Sequence, residues 1–382
     1  PLFMEDDGED GFGPGDRLLF YHKTREGKYD SGEALYLCSD IGREGLRVVS
    51  HDNGPSPLAP VLNECRTTLR WEENQIYGSS APGGEEEDRF YGAFLVNDGN
   101  PQNSSQSEAE VSLSLSEPKL FSNREAFLRL RLNTDVSSDE LEPDHRVEVF
   151  LSYAGNWISL GQRTFDGAGP WLGEFPLSQN LLGPNPSFKV VLGHRPGLPQ
   201  GYDRLWVDWL DLDYLRDISL IDGSLEFVAD SRELQVEVEN LLESDLRVWT
   251  LGDGDDLVRS LENLSVTGSA PPYSLTFPLD SSSYDRAVVI CEESSLLSVE
   301  SVSPAKGWSI REDHGQTDLI VVCPEAFSTA LAPLLERRRT QGSRVRELSP
   351  KAVYDAFSSG VKTPWAFRSM LSHALSHWEP PA

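Results

Sequence analysis

The sequence predicts a mainly β protein, with a small β unit, a jelly-roll-like sandwich and an immunoglobulin-like sandwich, followed by an incomplete α/β domain. Two observations carry this. Up to about residue 310, short runs of apolar, β-branched and aromatic residues are separated by Gly, Pro, Asn and Ser, the punctuation of strands joined by turns. From Asp318 onward the pattern changes to a short apolar run followed by segments of helical period, and no third strand follows the second.

Residues 1–76 read as a small β unit that is truncated at its start, because Pro1 is not a start residue and no charged-then-apolar signal segment precedes it. Residues 77–216 are long enough for the jelly-roll-like sandwich, with strands at 111–115, 126–132, 147–153 and 205–214. Ala154-Gly155-Asn156 joins 147–153 to 157–160 as a hairpin. Exposed loops are expected at 79–88, which holds three consecutive glutamates, and at 97–108, rich in Asn, Ser and Gln. Residues 217–310 carry strands at 224–228, 234–238, 246–250, 273–277 and 287–291, enough for the immunoglobulin-like sandwich.

Residues 311–382 begin the α/β domain. The run 318–323 is of the kind that forms a buried parallel strand, and Pro324 ends it. A helix over 325–339 places Phe327, Leu331, Leu334 and Leu335 on one face, Gly342 stops it, and 345–348 is a second strand. Ser349 caps the next helix with Pro350 at its first position, and Gly360 closes it. Thr363 and Pro364 repeat that start, and Phe367, Leu371, Ala374 and Trp378 follow at helical spacing.

The order Asp-Leu-Ile-Val-Val-Cys-Pro-Glu-Ala-Phe at 318–327, Leu334 to Gly342, Val-Tyr-Asp-Ala-Phe-Ser-Ser-Gly at 353–360 and Trp-Glu-Pro-Pro at 378–381 resembles the opening of the gingipain-type cysteine peptidase domain. Upstream, Asp16 to Tyr21, Lys28-Tyr29 and Leu35-Tyr36-Leu37 look like a segment near the N-terminus of large secreted members. Asp144-His145-Arg146-Val147 and Val207-Asp208-Trp209-Leu210 match their β-rich region. The resemblance implies a caspase-like sheet for the C-terminal domain. It also implies a parent that cleaves peptide or protein substrates with a Cys/His dyad, and a bacterial extracellular or cell-surface location. In such peptidases the dyad lies on later strands, so no catalytic, cofactor-binding or metal residue is assigned here. Calcium is the one cofactor the resemblance suggests. The chain reads as the non-catalytic N-terminal region of such an enzyme.

Charge excludes other partners. Lys and Arg number 33 and Asp and Glu 62, a net −29, which repels nucleic acid and anionic membranes. No apolar stretch reaches the length of a membrane span. Cys38, Cys65, Cys291 and Cys323 lack metal-ligand spacing. Four separate thiols are the plain reading, with a Cys38–Cys65 disulfide as the alternative in an oxidising compartment.

Several groups invite a functional reading beside a plain one. Cys323 stands at the carboxyl end of a parallel strand, where α/β sheets place their chemistry, with His314 nine residues upstream; the plain reading is a buried small side chain. His373 and His377 have the spacing for a shared zinc ion but lack the intervening Glu of a metalloprotease helix, which favours a partly exposed helix side. Arg337-Arg338-Arg339, with Arg344 and Arg346, sits where cations complement a helix C-terminus. On strict alternation, Trp206, Asp208, Leu210, Leu212 and Tyr214 share one face and Leu205, Val207, Trp209, Asp211 and Asp213 the other. Exposed tryptophans there would make a glycan-binding surface module the alternative function; core packing is the plain reading. Asp253, Asp255 and Asp256 look like part of a calcium loop but lack its spaced ligands and read as a turn.

Overall fold

The computed structural model describes residues 3–5, 13, 15–22, 35–37, 46–52, 60–82, 89–116, 118, 124–198, 201–228, 234–252, 258–262, 264–279, 286–304, 308–312 and 315–379. They belong to two units, residues 1–3 with 46–297, and residues 4–45 with 298–382.

The first unit contains two sandwiches. The first is built from β1 (Glu64–Glu72), β2 (Ala93–Asn97), β3 (Glu108–Ser112), β4 (Glu125–Thr134), β5 (His145–Tyr153), β6 (Asn156–Phe165), β7 (Gly169–Ser178), β8 (Ser187–Leu192) and β9 (Asp203–Asp217). One sheet runs β7-β4-β9-β1, with β2 also paired to β9, and the other runs β6-β5-β8-β3. Period-two alternation aims Ala126, Leu128, Leu130 and Leu132 of β4 and Val147, Val149 and Leu151 of β5 into one core, each fully buried. Burying a side chain of this size contributes roughly 1.5–3 kcal/mol. The predicted hairpin joins β5 to β6. Its two central residues, Ala154 and Gly155, have φ of 49° and 79°, as a primed turn needs, and Asn156 pairs with Tyr153.

Strict alternation fails in β9. Arg131 pairs with Trp209 and Leu132 with Val207, so Asp208 is an extra residue that shifts the register. Leu205 and Val207 face the core before it, and Leu210, Leu212 and Tyr214 face the same core after it. The two tryptophans therefore share a face with Asp211 and Asp213, which corrects the two faces read from the sequence.

The second sandwich uses β10 (Ser224–Val228), β11 (Leu234–Leu241), β12 (Leu246–Leu251), β13 (Val258–Leu261), β14 (Ser265–Thr267), β15 (Tyr273–Leu279) and β16 (Ala287–Glu292). Val236, Val238, Leu275 and Phe277 of one sheet and Val248, Val288 and Ile290 of the other form its core. The leading block does not stand by itself. Val49–His51 pairs in parallel with β13, Val61–Leu62 pairs in parallel with β11, and β1 lies along β9. These strands complete sheets whose other members lie far along the chain, a pairing that local pattern cannot specify.

Part of the expected loop at 97–108 is a 3₁₀ helix, Pro101–Ser107. Asn100 caps it by accepting from the Gln102 amide, and Asp98 accepts from the Asn100 amide and the Asn103 side chain. Of the expected loop at 79–88, residues 83–88 lie outside the described ones.

In the second unit, β17 (Leu319–Val322) and β18 (Val345–Leu348) pair in parallel, connected by α1 (Glu325–Thr340). The helices α2 (Pro350–Phe357) and α3 (Pro364–His377) follow. Both predicted caps are in place: Ser349 Oγ accepts from the Ala352 amide and Thr363 Oγ1 from the Trp365 amide. Leu348, Val353, Ala366, Met370 and Trp378 make the core. Along the predicted apolar face of α1 Leu335 is buried, Leu331 is half-buried, and Phe327 and Leu334 are exposed.

Candidate functional site

The carboxyl ends of β17 and β18 are where a parallel sheet presents its chemistry. Cys323 stands there, with its amide donating to the Leu348 carbonyl at 2.9 Å. Its thiol is buried and donates to the Pro324 carbonyl at 3.4 Å, and no base or cation is bonded to it among the described residues. His314 lies outside them. Among the described residues the thiol therefore has the surroundings of a packed side chain. Cys65 and Cys291 are free thiols, and burial pushes that of Cys65 up to about 11. Cys38, the other half of the disulfide alternative, lies outside the described residues, as do Asp253, Asp255 and Asp256.

His373 and His377 stack at 4.2 Å between ring centroids, tilted by 12°. Each is tied to a backbone carbonyl: His373 Nε2 donates to Arg311 at 3.0 Å and His377 Nδ1 to His373 at 3.1 Å. One side chain is thereby tethered to the segment before β17 and the other to its own helix. No group of three His, Cys, Asp or Glu that could hold a metal ion occurs among the described residues.

The arginines do not form one patch. Arg337, Arg338 and Arg339 are exposed at the end of α1. Arg344 clamps Asp318 through its amide, Nε and Nη2 at 2.8–2.9 Å, fixing the register where β17 and β18 begin. The Arg344 hydrogen bonds pull the Asp318 carboxyl down to about 2. The Arg346 guanidinium lies 5.6 Å from the Trp378 ring centroid.

In the first sandwich, Trp206 is only 4% exposed and packs with Ala81 and Tyr91. The Arg70 guanidinium covers one face of Trp209 at 4.2 Å from the ring centroid and holds Asp211 through two hydrogen bonds of 2.7 and 2.9 Å. Trp206 is thus buried, and Trp209 is half-buried with one ring face taken by Arg70.

A polar group that sequence reasoning missed lies in the same sandwich. The His145 side chain is fully buried, with Nδ1 2.9 Å from Asp203 Oδ1 and Nε2 3.2 Å from the Val136 carbonyl. With Asp203 ionised both partners are acceptors, and an imidazolium, which donates from both nitrogens, satisfies them together. Burial lowers its pKa, but the hydrogen bond and charge of Asp203, with the charge of Asp144, outweigh burial and hold it above the ordinary value. Phe165 stacks on the ring at 4.6 Å. The pair joins the starts of β5 and β9 to the segment after β4, a structural role. The only sequence signal was the Asp-His pair at 144–145, and the partner lies 58 residues away.

Residues 312–382 match the family model of peptidase family C25. No curated protein matches the chain by sequence. Among solved structures, the chain is similar to dimeric latent PorU from Porphyromonas gingivalis, at 14% identity and a TM-score of 0.54. The match covers 86% of this chain and 29% of that one, so the chain spans less than a third of that protein's length. A carbohydrate-binding module, CBM36 in complex with calcium and xylotriose, is matched at 16% identity over 38% of this chain and 98% of that one. Its TM-score of 0.23 carries no argument about ligands. No helix among the described residues is long and apolar enough to cross a membrane.

Proposed function

Because residues 312–382 match peptidase family C25, we propose that the chain is the non-catalytic N-terminal region of a secreted or surface-held gingipain-type cysteine endopeptidase, together with the first strands of its peptidase domain. The observation that carries the reading is the parallel β17-α1-β18 unit, which coincides with the family match. In this reading the sandwiches support or anchor the peptidase domain, and further strands of its sheet cover the half-exposed faces of β17 and α1. A Cys thiolate in the remaining domain attacks the scissile carbonyl of a peptide or protein substrate, and a His passes the proton to the leaving amine. A glycan-binding role for the first sandwich is disfavoured by the burial of Trp206 and the Arg70 cover on Trp209.

The 382-residue chain is therefore expected to show no thiol-dependent hydrolysis of peptides. Activity that Cys323→Ala abolished would overturn the reading, because it would place the nucleophile inside this segment. Sequencing the reading frame around the chain is the companion test: a His-Gly turn and a later Cys at a strand end are expected downstream.

A further inference from the structure

Asp355 is polar at a place where the fold is dry. It lies on α2, its carboxylate 2% exposed, beside Val353 and Ala356, which are buried against α3. A buried carboxylate needs strong donors. Lys351, one turn back, donates to it at 2.8 and 3.1 Å. Tyr36 also donates, its hydroxyl 3.1 Å from Oδ1 although 319 residues separate the two. Burial, together with the hydrogen bond and charge of Asp355, pushes the phenol up to about 12. Residues flanking Tyr36 do not bury themselves, since Leu35 and Leu37 are 52% and 71% exposed. The tyrosine is the member of this described triplet that docks.

Where the chain passes from the first unit into the second, 297–304 is a different kind of segment. All eight residues are exposed, none has regular secondary structure, and Leu297 and Val302 are 94% and 92% exposed. No hydrogen bond fixes any of them. An exposed, unbonded segment with aliphatic side chains is one a protease can enter.

We propose that Leu35-Tyr36-Leu37 clasps α2 through the Tyr36 hydroxyl, so that the α/β unit is assembled from both ends of the chain and stays assembled when the connection at 297–304 is cut. The β region is then an insertion between two pieces of one unit, and residues 298–382 alone are not the whole of it.

The test is to nick the full chain with an elastase, which accepts Leu297, Val299 or Val302, and to follow the pieces by gel filtration and mass spectrometry. In the wild-type chain the C-terminal piece is expected to co-elute with the rest. Tyr36→Phe, which keeps the ring and removes only the donor, and Asp355→Asn should each raise its released fraction about tenfold, the effect of losing a hydrogen bond to a charged group. In the intact chain, Tyr36→Phe should speed amide exchange in α2 about tenfold and leave the sandwiches unchanged. Loss of the C-terminal piece from nicked wild type overturns the proposal. So does a Tyr36→Phe chain that matches wild type in both exchange and release.

Discussion

Leu128, Leu130 and Leu132 of β4 are fully buried, whereas Leu319–Val322 of β17, an equally apolar run, is half-buried at every position. A sandwich strand needs cover on one face, and the opposing sheet supplies it continuously. A parallel strand needs cover on both faces and neighbours on both edges. In β17, Ile320 and Val322 pack on the core that contains Met370 and Trp378. The helix that connects the two strands buries only Leu335, while Phe327 is 63% and Leu334 50% exposed. The same residue chemistry thus has different stability in the two regions, because what decides is the second layer and not the strand itself.

Four experiments would break or sharpen that contrast. The largest effect is expected from Asp203→Asn, which leaves the buried His145 imidazolium without its counter-charge; breaking such a pair costs about 4 kcal/mol, read from chemical unfolding. The pH dependence has a fixed sign. The folded pKa of His145 lies above its unfolded value, so its contribution is complete below about pH 6.5 and is lost as pH rises through the folded pKa. A sandwich transition that did not move between neutral and alkaline pH would contradict the imidazolium assignment.

Next comes Leu130→Ala, expected to cost about 3 kcal/mol because the closed core cannot collapse around the gap. The matching change in the other unit, Leu334→Ala, should fall within about 0.5 kcal/mol. Equal losses would mean that α1 is covered in solution. Smaller than the Leu130 loss, Ser349→Ala should destabilise α2 by about 1 kcal/mol through loss of its cap, measured as faster exchange of the first-turn amides.

The smallest effect belongs to the exposed Arg344–Asp318 clamp. Its carboxyl is depressed from 3.8 to about 2, so the contribution is present above pH 3.8 and lost as pH falls through 2. Arg344→Ala, which removes the guanidinium and keeps the backbone amide, should weaken that acid-side dependence in β17 exchange without altering the sandwiches. A wild-type profile in the variant would show that the clamp does not hold the register.

What was legible in the sequence was local. The run at 318–323, the Ser349-Pro350 and Thr363-Pro364 starts and Gly342 each act on their immediate neighbours, and each element appears where they place it. The hairpin at Ala154-Gly155 was legible for the same reason. Illegible were the associations that join distant residues: Tyr36 with Asp355, His145 with Asp203, and Val49–His51 with β13. A single side chain carries no mark of a partner 58 or 319 positions away. Of the functional candidates, the plain readings of Cys323 and Trp206 agree with their burial.

Asp208 gives the fifteen-residue strand β9 one residue more than its partner across the bulge requires. Excision of Asp208 alone would leave Leu205, Val207, Leu210, Leu212 and Tyr214 pointing inward and simply straighten the strand. Excision of Leu210 instead would remove a core side chain while the spare position remained, and the residues beyond it would turn inside out unless the bulge were absorbed. In this strand, length is therefore negotiable at one position, and a set of single-residue deletions along 205–214 should recover folded protein most readily at 208.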